Sequence, residues 1–255
     1  MRDNFRDGQH NLEMYDSDLA YIHDVGFSAY VLDAAPGLLR ILQANGVKSG
    51  LVVDLGCGSG RWARVLNDHG YDVLGVDASP DFVRLARSHA PHSKFVHADL
   101  WQIRLPECEA VTAIGEVLNY GRRRTLAALF RRIYRALRPG GVFAFDIAGP
   151  DRIPPGGTRR VWAAGDDWAV LSESAGSGEL LRRNIISFRK SGAHYRRTEE
   201  IHKVQLYEPT HVLEPLEQAG FRARKQAAFG HFRLPKGIHA FLAVKWPKAS
   251  HSTLK

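Results

Sequence analysis

From Leu51 onward, short apolar runs alternate with segments in which apolar residues recur every three or four positions. LVVDL, YDVLGVD, KFVHAD, AVTAIG and VFAFDIA read as five strands. The first is apolar almost throughout, as a buried parallel strand must be when both its faces are covered. Between them, SGRWARVLNDHG reads as a helix stopped at Gly70. SPDFVRLARSHA reads as another, with Ser79 as N-cap and Pro80 at the first helical position. In TLAALFRRIYRALRPGG, residues Leu126, Leu129, Phe130, Ile133, Tyr134 and Leu137 form one apolar stripe. Arg131, Arg132, Arg135 and Arg138 are expected in its last turns, where the helix dipole favours cations. Pro139-Gly140-Gly141 is expected to end it before the fifth strand.

Strands and helices alternating over short links predict an α/β fold with a parallel sheet covered on both faces. A ligand site is then expected at the carboxyl ends of the strands. Upstream, Asp18 to Leu42 is helical in pattern, and the break at Pro36-Gly37 predicts two helices meeting there. Downstream the rhythm changes at GPDRIPPGGT. RRVWAA, DWAVLSE, LRRNIISFRK and YRRTEEIHKVQLY then read as antiparallel strands, with His202, Val204 and Leu206 on one face. THVLEPLEQAGF reads as a short helix, and Pro215 breaks its bonding unless the helix begins near Glu214 or bends. ARKQAAF and GIHAFLAVKW close the chain as two strands. The resulting division is 1–48, arm and lid helices; 49–150, α/β core; 151–207, β-rich insertion; 208–247, core completion; 248–255, tail.

Composition narrows the function classes. The 255 residues are 44% hydrophobic, enough for a substantial core. Two cysteines, Cys57 and Cys108, form neither a disulfide framework nor a paired metal site, and no His/Asp/Glu spacing suggests a catalytic metal. The net charge of +8 admits an acidic or nucleic-acid partner, but the arginines are spread along the chain and their one cluster falls on the helix above. There is no apolar leader, and no apolar run nears the ~20 residues that span a bilayer, so a cytoplasmic protein with no membrane partner is expected. Oligomeric state is not readable.

The stretch VVDLGCGSGR, Val52 to Arg61, takes a strand through a glycine turn into a helix. Glycines let the backbone turn sharply and approach a ligand closely. The dinucleotide fingerprint would need glycine where Arg61 stands. An acid in the approaching strand, Asp54, does nothing for a pyrophosphate held by helix N-terminal amides. The order Asp54, Gly56, Gly58, Gly60 instead resembles motif I of the class I S-adenosylmethionine-dependent methyltransferases. The resemblance continues in register through VLGVDAS, FVHADL, AIGEVLNY and LRPGGVFAFDI, covering about residues 18 to 148 and extending weakly to 246.

That resemblance implies a Rossmann-like seven-stranded sheet, mostly parallel with an antiparallel last strand, and an antiparallel β insertion over the site. It implies S-adenosylmethionine as donor. Asp77, with Ala78 beside it, matches the acid that takes the ribose hydroxyls, Asp99 the acceptor from the adenine amine, and the Leu100 amide the reader of the ring nitrogen. Glu116 falls at the methionine end, and Tyr15, Tyr21 and His23 are candidates to close over the cofactor. Each acid also suits a plain turn or cap, and Asp54 suits a positioner of the loop.

The fourth-strand motif AIGEVLNYG narrows the acceptor by what it lacks. There is no proline beside Asn119-Tyr120 for a base-amino enzyme, no Pro-Cys nucleophile, and no second glutamate for a protein-arginine enzyme. A small-molecule N or O acceptor is the expectation. An RNA or protein acceptor and a non-catalytic regulatory module that binds S-adenosylmethionine are the alternatives. For a general base, Glu116, His23 and His202 are the candidates, with His231 behind them.

Overall fold

The structure, a computed structural model, describes residues 14–153 and 156–246. Helices α1 (Ser17–Phe27) and α2 (Ala29–Ala44) come first. Strands and helices then alternate as β1 (Gly50–Leu55), α3 (Arg61–Asp68), β2 (Tyr71–Asp77), α4 (Pro80–His89) and β3 (Lys94–His97). β4 (Cys108–Ala113), α5 (Arg123–Ala136) and β5 (Leu137–Ala148) follow. Four long strands come next: β6 (Thr158–Ala164), β7 (Trp168–Ser177), β8 (Leu180–Ser191) and β9 (His194–Gln205). The chain closes with α6 (Thr210–Gln218), β10 (Arg222–Gln226), β11 (Ala228–Phe229), β12 (Phe232–Arg233) and β13 (Ile238–Val244). The expected N-terminal arm before residue 14 and the tail from 248 lie outside the described residues.

The main sheet has seven strands in the order β10-β13-β5-β4-β1-β2-β3. β1 to β5 pair in parallel, and β13 runs antiparallel to both its neighbours, β5 and β10. Successive side chains of a strand point to opposite faces. Val52 of β1 accordingly packs with Leu38, Leu42, Trp62 and Leu66 from α2 and α3. Its neighbour Val53 packs with Leu129, Phe130, Ile133 and Leu216 from α5 and α6. This is the expected sheet, buried on both sides.

β6 to β9 form a separate antiparallel sheet in sequence order. It is anchored twice. Leu181 and Val204 pack with Ala148, Ile153 and Ile238 beyond the end of β5. Trp168, Val170 and Ile185 pack with Leu19 and Ile22 of α1. The insertion and α1 therefore close on each other over the carboxyl ends of the core strands. Among the described residues, no single helix is long and apolar enough to cross a membrane.

Three local expectations are corrected, and one element was not expected. α2 runs straight through Pro36-Gly37, and the helices part at Ser28 with a bend of 59°. Gly37 explains why the break is not there: a Cβ would lie 2.0 Å from the Phe229 carbonyl oxygen, so its bare surface seats β11 against the helix. That packing outweighs the hydrogen bond lost at the proline. α6 likewise starts at Thr210 and contains Pro215, held by buried Val212 and Leu216. Arg138 is not on α5: β5 begins at Leu137 and carries Pro139-Gly140-Gly141 within it, because Gly140 and Gly141 exchange hydrogen bonds with Lys245. Arg138 pairs with Glu107 and Glu109 instead. The β11–β12 hairpin was not expected, since two-residue strands leave no periodicity to read.

Candidate cofactor and acceptor site

A cavity of about 500 Å³ opens at the carboxyl ends of β1, β2 and β4, beneath α1 and beside the insertion sheet. The size suits one or two small ligands.

The glycine loop forms its floor, and its three glycines do different things. All have positive φ, which glycine adopts freely. A Cβ on Gly56 would meet Val117 at 2.5 Å, and one on Gly60 would meet the Ala86 Cα at 2.8 Å. Those two positions serve close packing against the β4–α5 turn and α4. A Cβ on Gly58 would enter open space, and Gly58 lines the cavity. Gly60 does not line it.

Asp77 ends β2 beside this loop. Its Oδ2 accepts from Gly58 N–H and its Oδ1 from Ser79 N–H, each at 2.9 Å. Each oxygen keeps a lone pair for a ligand. Burial raises its pKa, against the pull of these amides. Ala78 lines the cavity, its carbonyl facing the His97 ring at 2.9 Å. Asp54 on β1 is buried and accepts from Thr112 Oγ1 at 2.7 Å, while Trp62 Nε1 donates to Thr112. Burial pushes the Asp54 carboxyl up to about 7. Asp99 and Leu100 form the far wall. Arg132 donates to the Leu100 carbonyl at 2.9 Å, and the Leu100 N–H has no partner among the described residues.

At the end of β4 the chain turns through Gly115 and Glu116, and Glu116 has φ +62, uncommon for a residue with a side chain. Asp146, buried at the end of β5, enforces it by accepting from Glu116 N–H at 2.6 Å, from Gly115 N–H, and from the Tyr30 hydroxyl at 2.8 Å. Burial raises Asp146 to about 6. The Glu116 carboxylate is met by Arg152 at 3.2 Å and by Arg183 of β8 at 3.3 Å. Both carboxylate oxygens of Glu116 are thus engaged by guanidinium groups.

The lid comes from the N-terminal side. Leu19, His23 and Phe27 share one face of α1 and line the cavity. Tyr21 is off that face. Its ring lies under Arg189 and its hydroxyl reaches Asp167, so it braces the insertion rather than the cavity. Tyr15 takes the covering position. Its N–H donates to Glu200 at 2.7 Å, and its carbonyl accepts from Ser79. His23 packs edge-on to Tyr15 and Phe82, and burial lowers its pKa to about 4, so the ring is neutral at neutral pH.

His202 on β9 is fully buried and does not reach the cavity. It lies behind Tyr120, which does. Nδ1 is 3.1 Å from the Tyr120 hydroxyl and Nε2 is 2.8 Å from Glu200 Oε2. A carboxylate only accepts, so in the neutral ring Nε2 donates to Glu200 and Nδ1 accepts from Tyr120. Burial opposes the charge on Glu200, yet hydrogen bonds from His202 and the amides of Asp16 and Tyr15 hold its pKa below the usual carboxylate value. His231 is exposed at the tip of the β11–β12 hairpin, away from the cavity.

Of the residues singled out in the sequence, Asp54, Gly56, Gly58, Asp77, Ala78, Asp99, Leu100, Glu116 and His23 thus meet at one cavity. Gly60, Tyr21 and His202 do not line it. Sequence reasoning missed Asp146, Arg152, Arg183 and Glu200. An acid inside the apolar run VFAFDIA was a readable sign of Asp146. The others lie on irregular or alternating segments without such a sign.

The methyltransferase domain family matches residues 52–141. YqeM of Bacillus subtilis, named as a methyltransferase, is 26% identical over 196 residues, 73% of this chain and 79% of its own. A trans-aconitate 2-methyltransferase of Rhodopseudomonas palustris is 31% identical over 165 residues, 63% of this chain and 60% of its own. Among solved structures, the sugar N-methyltransferase KedS8 from Streptoalloteichus superposes with a TM-score of 0.75 at 21% identity, over 91% of this chain and 94% of that one. The last likeness is one of fold.

Proposed function

We propose that this chain, which belongs to the class I S-adenosylmethionine-dependent methyltransferases, methylates a nitrogen or oxygen of a small molecule held between its glycine loop and its insertion sheet. The observation that carries this reading is the cavity itself. It joins the loop end of the core to side chains of β6, β7 and β8, which have no part in the α/β fold. A small-molecule acceptor also agrees with the names of the trans-aconitate and sugar relatives.

The residues present fit the cofactor. Gly58 leaves the space a Cβ would fill, and Asp77 offers both oxygens to a diol. Asp99 and the Leu100 N–H, which has no partner among the described residues, offer one acceptor and one donor to a purine edge. Gly56 belongs to the same floor, and Gly60 holds that floor against α4. Asp54 and Glu116 line the cavity toward the methionine end. When bound, S-adenosylmethionine supplies an electrophilic methyl group on a good leaving group. The protein then contributes mainly proximity and alignment.

Tyr120 and His202 serve as the route for the acceptor's proton. Tyr120 takes it as it passes its own proton to His202 Nδ1, and Glu200 stabilises the imidazolium that results. Tyr120 is the group at the cavity, and His202 acts through it. His23, held neutral with a low pKa, is a wall of the site, and Glu116 is held by its two arginines.

The test is methyl transfer from radiolabelled S-adenosylmethionine to a metabolite extract, read after separating small molecules from macromolecules. Label in the small-molecule fraction supports the reading. Label only on RNA or protein, or none at all from a protein that binds S-adenosylhomocysteine, overturns it.

A further inference from the structure

We infer that the acceptor is an anion, bearing a carboxylate or phosphate that docks on a row of side chains crossing the insertion sheet. The inference rests on the small-molecule reading above and names its substrate class.

The row follows from strand register. Arg159 of β6 pairs with Ser174 of β7, Ser174 pairs with Arg183 of β8, and Arg183 pairs with His202 of β9. Directly paired residues on adjacent strands present the same face. Arg159, Ser174 and Arg183 all line the cavity, and His202 lies behind Tyr120 at the end of the row. Adjacent strands are about 4.8 Å apart, so the two arginines start about 10 Å apart with a serine between them. Long guanidinium side chains can converge over that span on one anionic group. Arg152 enters the same space from the turn after β5.

Charge makes the row hard to explain as structure alone. Among the described residues, the three guanidinium groups at this end of the cavity have one carboxylate partner, Glu116, shared by Arg152 and Arg183. A strong arginine–carboxylate pair is a bidentate fork at about 2.7–2.9 Å. Arg152 and Arg183 instead each give Glu116 one N–H at 3.2 and 3.3 Å, and they keep spare donors. Arg159 pairs with no acid among the described residues. Like charges crowded in a partly enclosed site repel strongly. Burial works first against the charge on Arg152; Glu116 opposes it, and Arg159 and Arg183 add smaller repulsions on the side of burial. A single arginine would suffice to dock the insertion on Glu116. The additional ones make a focusing site for negative charge, next to the group that takes the proton.

Isothermal titration of the S-adenosylhomocysteine-loaded protein tests this, with succinate, tricarballylate and glucose 1-phosphate as probes. Dimethyl succinate and glucose are their neutral counterparts. An anion should bind where its neutral counterpart does not. Arg159→Gln should weaken that binding roughly tenfold, the scale of one lost charge-assisted contact, with Arg159→Lys in between. S-adenosylhomocysteine affinity should stay unchanged. Preference among the probes separates carboxylate from phosphate. Anions that bind no better than neutral molecules overturn the inference. So does a fall in S-adenosylhomocysteine affinity in Arg159→Gln, which would assign the guanidinium to the cofactor.

A second arm separates this inference from the reading beneath it. The metabolite extract is fractionated on an anion exchanger before the labelling reaction. Label appearing in the retained fraction supports an anionic acceptor. Label only in the flow-through defeats it and leaves the small-molecule reading standing. Label only on macromolecules defeats that reading too.

Discussion

The Tyr120 hydroxyl lies 3.1 Å from Nδ1 of His202, a histidine with no solvent exposure. Tyr120 is on the turn after β4, and His202 is on the insertion. On the proposed route, a pair that bridges the core and the insertion would tie proton transfer to a closed site. Tyr120→Phe keeps the ring and removes the proposed relay. It should lower kcat by roughly a hundredfold or more, within the range of a lost general base, with little change in KM. His202→Gln should likewise lower kcat with little change in KM. A Tyr120→Phe enzyme with wild-type kcat would show that the acceptor loses its proton elsewhere.

Asp77→Ala should weaken S-adenosylhomocysteine binding severely and leave the fold intact, because its side-chain hydrogen bonds among the described residues go to the nearby amides of Gly58 and Ser79. Calorimetry and circular dichroism together read both halves of that statement. Unchanged affinity would remove Asp77 from the site.

The glycine loop offers a contrast between neighbours. Both Gly58 and Gly60 have positive φ, so alanine at either strains the backbone by about 1 kcal/mol. Gly60→Ala also drives a Cβ into Ala86 and should lower the melting temperature clearly more. Gly58→Ala meets nothing within 4 Å among the described residues and should instead lose cofactor affinity. Thermal melts and cofactor titrations of the two variants should rank in opposite order.

Stability should depend on pH through Asp54. Its folded pKa, about 7, lies above the ordinary carboxylate value because the charge is buried. The folded state thus binds this proton more tightly than the unfolded state does. The stabilisation is fully present below the unfolded pKa, about 4, and is lost as pH rises through 7. Asp54→Asn lacks this loss. Relative to wild type, the cofactor-free variant should gain stability between pH 5 and pH 8. A constant difference across that range would contradict the assigned burial of the charge.

The cofactor half of the site was the more legible half. Asp54, Gly58, Asp77, Asp99 and Leu100 sit at strand ends and in a glycine turn, where local sequence dictates local geometry. Their meeting follows from parallel strands laid side by side. Tyr21 shows where this reasoning stops. It shares a helix with His23, yet two residues of helical rotation send it to Arg189 and Asp167 instead of the cavity. Which face of α1 looks inward was decided by the insertion, through Trp168 and Ile185 against Leu19 and Ile22. Pro36 and Pro215 make the same point: a local preference of a few kcal/mol yields to packing around Gly37, Val212 and Leu216.

By itself, the sequence determined the alternation of strands and helices, the glycine turn and the acids that follow each strand. These depend on periodicity and backbone conformation within a few residues. Only the tertiary structure decided that Tyr120 meets His202, that Glu116 is held by Arg152 and Arg183, and that Arg159, Ser174 and Arg183 stand in one row. Those contacts join residues tens of positions apart. They depend on strand register and on how the insertion docks, which no local pattern encodes.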